Sequence, residues 1–78
     1  MRLAELDRHK ISRVVGIETG DADLEAKLRE IGFAEGDEIE VLYFAPLGHA
    51  SICVRLNETL IALRRPEAHA VYVEETLV

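Results

Sequence analysis

The stretch LREIGFAEGDEIEVL (28–42) changes period in its middle. Leu28 and Ile31 continue a spacing begun at Leu24, so that i, i+4 and i+7 share one face of a helix. Gly32 follows where a helix needs a residue free to turn left-handed, and Gly36 stands four residues later. From Glu38 the pattern alternates instead. Ile39, Val41 and Tyr43 fall on one side of a strand, and Glu38, Glu40, Leu42 and Phe44 on the other. One short helix thus hands the chain directly to β-structure.

Working backwards, ADLEAKLREI (22–31) reads as that helix. Asp21 is placed to accept from the free N–H groups of its first turn. Asp23 with Lys27, and Glu25 with Arg29, are i,i+4 pairs in the favourable order on its wet side. About three turns of helix do not persist alone in water, so the leucine face must dock. Phe33 is expected to fold back onto that face. Upstream, ISRVVGI (11–17) is β-branched and reads as a strand broken by ETGD (18–21). The first ten residues read as an arm held by Leu3 and Leu6.

Working forwards, EIEVLYFA (38–45), ASICVRL (50–56) and LIALRR (60–65) form a meander. PLGH (46–49) and NET (57–59) supply its turns. Ile52, Val54 and Leu56 share one face of the second segment, and Ile61 and Leu63 one face of the third. Pro66 ends that strand, PEAHA (66–70) makes a single helical turn, and VYV (71–73) is a last strand. Five short strands with turn signals predict a small barrel or sandwich. Closing the sheet removes its edges, and the helix presenting Leu24, Leu28 and Ile31 plugs one end.

The ordered set LREIGFAEGDEIEVL, APLG (45–48) and LIALRRPEAHAVYV (60–73) resembles the FeoA family of small cytoplasmic proteins, over about Val14 to Val73. The resemblance implies a mainly β fold, an SH3-like barrel with an inserted helix. It also implies an accessory partner of FeoB, the membrane ferrous-iron transporter with a cytosolic GTPase domain. Similar barrels form the C-terminal domain of some iron-dependent repressors, so a metal-responsive regulatory domain is the rival expectation. Two turns depart from the family pattern: His49-Ala50 stands where Asp-Pro is frequent, and Glu35 where proline is usual.

Size and charge narrow the field. The 78 residues read as one domain, 1–78, whose first ten are the arm. A chain of this size buries roughly 60% of its unfolded surface, enough for one core and no deep active site. No run of 18 apolar residues marks a membrane span, and the charged N-terminus is unlike a signal peptide, so a cytoplasmic placement is expected. Nine basic against fifteen acidic residues, a net charge of −6, argue against binding phosphate backbones.

Chemistry-bearing residues are sparse. The single Cys53 excludes an internal disulfide and sits between Ile52 and Val54, a packed setting rather than an activated one. His9, His49 and His69 are twenty or more residues apart, without the close spacing of metal ligands; His49, on its turn, is the least implausible ligand. Glu38/Glu40 and Glu74/Glu75 read as solvated strand charges. Gly32 and Gly36 lack the spacing and lysine of a phosphate loop. The expectation is no catalysis, no cofactor and no resident metal. What remains is contact. Leu42, Phe44 and Leu60 fall opposite the core-facing positions, and exposed apolar patches mark binding surfaces. With Pro46 and Leu47 beside them and Arg64 and Arg65 on the rim, they form the expected surface for a protein partner or a second copy.

Overall fold

The computed structural model describes residues 1–44 and 51–76. A 3-10 turn (Leu3–Glu5) precedes β1 (Ile11–Ile17), α1 (Ala22–Ile31), β2 (Glu38–Phe44), β3 (Ser51–Leu56), β4 (Thr59–Arg64), α2 (Arg65–Ala70) and β5 (Val71–Glu75). The fold is mainly β and SH3-like. Its five antiparallel strands lie in the order β4-β3-β2-β1-β5.

The sheet is curled but not closed, which corrects the expectation of a sealed barrel: β4 and β5 are its two edges. The connection between them is the reason. Arg65–Ala70 is a full helix rather than a single turn, and it packs on β4, β5 and the 3-10 turn. The N-terminal arm completes the cover. Leu3 and Leu6 are buried, as the sequence predicts, and the Val73 N–H donates to the Met1 carbonyl (2.8 Å) beside an Arg2–Tyr72 bridge. The outer edge of β5 is therefore occupied.

The helix behaves as its pattern dictates. Asp21 Oδ1 accepts from the N–H groups of Asp23 (3.0 Å) and Leu24 (3.1 Å). Gly32, at φ +121°, donates back to the carbonyls of Leu28 (3.2 Å) and Arg29 (3.1 Å). Leu28 and Phe33 are fully buried, and Leu24 and Ile31 are half-buried against the same core. That core is filled by Val14, Ile39, Val41, Val54, Leu63, Val71 and Val73 from all five strands. The turn after α1 is tied to β1: the Gly36 N–H donates to Val14 O (2.7 Å) and the Val14 N–H to Asp37 O (2.9 Å).

Simple alternation fails once along β2. Val41 pairs with Val54, but Tyr43 pairs with Cys53, so Leu42 is an extra residue in a β-bulge. Directly opposed residues share a face. Tyr43 therefore joins Cys53 and Ala62 on the outer face, and is 54% exposed rather than packed with Ile39 and Val41. Phe44, opposite Ile52, lies on the core side of the sheet but at its rim, and is also exposed.

Candidate interaction surface

The outer face of β2, β3 and β4 is built in rows. Glu40, Arg55 and Leu60 are neighbours across the three strands; Tyr43, Cys53 and Ala62 form the next row, and Ser51 and Arg64 a third. Leu60 is 65% exposed, and Tyr43 and Phe44 are about half exposed. Of the five large apolar side chains that are exposed among the described residues, three therefore stand on β2 and β4; the others are Met1 and Val15. Leu42 is half-buried by its place in the bulge, and Arg64 and Arg65 are exposed at the end of β4. Pro46, Leu47 and His49 lie outside the described residues.

The polar end of this face is a fixed charge network. The Arg55 guanidinium is paired with Glu40, reaches Glu38 at 3.7 Å, and donates to the Asn57 carbonyl at 3.1 Å. His9 Nδ1 lies 3.2 Å from the other Glu40 oxygen. Hydrogen bonding to Arg55, and then to His9, holds the Glu40 carboxyl below the ordinary glutamate range; Glu40 in turn raises Arg55. Both acids of the Glu38/Glu40 pair therefore face the same arginine as counter-ions. One row along, hydrogen bonding to the Cys53 thiol pushes the Tyr43 phenol above its ordinary range. Beside the network, an open cleft of about 630 Å³ is lined by Arg13, Glu38, Arg55, Asn57, Glu58 and Thr59. Its Arg13 guanidinium is held by the Gly36 carbonyl (2.8 Å).

Among the described residues no three His, Cys, Asp or Glu side chains converge as metal ligands. The pair nearest to such a site, His9 and Glu40, is engaged with Arg55. His69 is exposed on α2. Glu74 and Glu75 stand opposite Arg13 and Ser12 on the β1 register.

One charged group escaped the sequence reading. Glu67 is buried at 6% exposure, with Oε1 accepting from the Arg64 N–H (2.7 Å) and Oε2 lying 2.6 Å from Lys27 Nζ. Burial pushes its carboxyl upward, but the Lys27 and Arg64 hydrogen bonds outweigh burial and hold it below the ordinary range. Glu67 is thus held by a backbone N–H at the start of α2 and by a lysine from α1. The signal was present in Arg-Pro-Glu, where an acid at the third helical position reaches back to the cap N–H.

A family model described as the FeoA domain matches residues 1–75. The solution structure of a FeoA protein from Chlorobium tepidum is 31% identical, with a TM-score of 0.84 over 99% of this chain and 71% of its own. The zinc complex of FeoA from Stenotrophomonas maltophilia is 33% identical, with a TM-score of 0.81 over 95% of this chain and 89% of its own. That protein is described as a prokaryotic SH3 domain protein and a candidate activating factor of ferrous iron transport. A manganese-dependent transcriptional repressor in complex with manganese shares the fold alone: its TM-score is 0.88 at 19% identity, over 97% of this chain and 36% of its own. No curated protein sequence matches the chain significantly. A family match over residues 1–75, on the SH3-like fold that its residues build, places the chain in the FeoA family.

Proposed function

We propose that the chain is a non-enzymatic, cytoplasmic accessory module of a ferrous iron transport system, which binds the cytosolic part of a FeoB-type transporter and modulates it by contact. The observation that carries this reading is the concentration of exposed Tyr43, Phe44 and Leu60 on β2 and β4, in a member of a family with small SH3-like iron-uptake proteins. Large exposed side chains on a fold this small are affordable where a partner covers them. The ionisable groups nearby, Glu38, Glu40 and Arg55, are consumed by one another and offer no nucleophile with its base. Leu42 and Phe44, with Pro46 and Leu47, supply the apolar anchors, and Arg64 and Arg65 the charged rim. Nucleic acid is a poor partner for a net charge of −6, and no helix among the described residues is long and apolar enough to cross a membrane.

The test is calorimetric titration of the transporter's cytosolic domain into the chain and into a Leu42→Glu/Phe44→Glu variant. Saturable binding that falls at least about tenfold in the variant is expected, the scale of losing one hot-spot anchor. Equal affinity for both removes this surface from the interaction.

A further inference from the structure

The two edges of the sheet are treated differently. The outer side of β5 is occupied by Met1 and Arg2. Among the described residues β4 has no backbone partner except β3. The β3–β4 register turns at Asn57-Glu58, with Leu56 opposite Thr59 and Asn57 at φ +55°. In such a two-residue hairpin the flanking pair exchanges both hydrogen bonds, and alternate pairs repeat this. Thr59, Ile61 and Leu63 therefore turn their backbone groups toward β3. Leu60 and Ala62 direct theirs outward and are exposed; Arg64 is exposed too, but its N–H already donates to Glu67 Oε1 (2.7 Å).

Unpaired edges are usually blunted by charges, proline, bulges or a covering element. This edge carries its charges at its two ends and with opposite sign: Glu58 at the start, Arg64 and Arg65 at the finish, with Leu60, Ile61 and Ala62 between. A parallel copy would set arginine against arginine. An antiparallel copy centred on Ile61 matches both the charges and the outward backbone groups of Leu60 and Ala62. It pairs the outward-directed groups of Leu60 with those of Ala62 in the second copy, sets Ile61 against Ile61, and brings Glu58 opposite Arg64 twice by symmetry. We infer that β4 is a self-complementary docking edge, through which two copies of this chain pair antiparallel into one continuous ten-strand sheet. The two-fold axis passes between the Ile61 residues, and the interface is isologous. This inference stands apart from the transporter reading, because its test contains no transporter.

The experiment is sedimentation analysis of the full chain across micromolar to millimolar concentration, with circular dichroism of each variant to establish folding. A reversible dimer that weakens with added salt is expected, because its two ion pairs are exposed. Arg64→Glu sets acid against acid at both ends and weakens the dimer roughly tenfold, the scale of two surface pairs reversed. Adding Glu58→Arg to that variant restores it, whereas Glu58→Arg alone weakens it. Ala62→Pro removes an outward N–H, leaves the bonds to β3 in place, and yields a folded monomer. A chain that stays monomeric throughout, or a dimer indifferent to Ala62→Pro and to the charge exchange, overturns the inference.

Discussion

Glu67 commits a charge to the interior, and its two oxygens are spoken for by Lys27 and the Arg64 N–H. Replacing it with glutamine keeps the shape and loses the charge-assisted bonds, a cost of about 1–3 kcal/mol. The pH dependence has a definite sign. The folded carboxyl titrates below its unfolded value, so its contribution is fully present above roughly pH 4.3 and fades as pH falls through the lower folded value. Urea unfolding is therefore expected to show wild type clearly ahead of Glu67→Gln at pH 7, and the gap closing on acidification below pH 4. A gap that is constant with pH would mean that packing, not charge, makes the difference. Gly32 offers a second test at this scale. At φ +121° with nothing within 4 Å of a notional Cβ, Gly32→Ala meets no clash, only backbone strain, and costs about 1–2 kcal/mol in thermal unfolding. Gly32 was legible because a helical stripe stops at it. Glu67 was not, because burial of an acid depends on a lysine forty residues earlier, which periodicity does not record.

The inserted helix is the element on which the sequence spoke most clearly. Leu24, Leu28 and Ile31, the Asp21 cap and Phe33 all take their predicted places. Its docking rests on Leu28, buried completely between the helix and the sheet. Leu28→Ala is expected to cost about 2–5 kcal/mol, a large share of the 5–15 kcal/mol typical of a domain. Asp21→Ala, losing only the cap, costs about 1 kcal/mol. Denaturant midpoints should rank the two variants in that order; the reverse would show that the helix is held by its ends and not by its face. Strand β2 was read less well. Period-two counting places Tyr43 with Ile39 and Val41, but the bulge at Leu42 moves it to the other face. A bulge is a property of pairing between two strands, and the residues of one strand do not announce it. The open sheet was illegible for a related reason: it goes with α2 packing on β4, β5 and the 3-10 turn, and only Pro66 and two alanines hinted at that helix.

At the scale of the whole molecule, the fold separates a filled interior from an outer face that carries exposed Tyr43 and Leu60. The N-terminal arm covers the β5 edge, whereas β4 has no backbone partner but β3 among the described residues. Arg55 pairs with Glu38 and Glu40 along one border of the outer face. The order of motifs foresaw the family. The proposed contact surface was only partly legible, because Leu42 and Phe44 were placed by an alternation that the bulge interrupts, whereas Leu60 was placed by that of β4, which is regular. The structure brings Tyr43 to the outer face and moves Phe44 to the core side, at the rim of the sheet. The most direct measurement is an amide NMR titration of isotope-labelled chain with the cytosolic domain of a FeoB-type transporter, the proposed partner. Perturbed resonances are predicted to cluster at Leu42, Tyr43, Phe44, Arg64 and Arg65, with α1 quiet. Saturable binding whose perturbations lie on α1 and spare β2 and β4 would contradict the account.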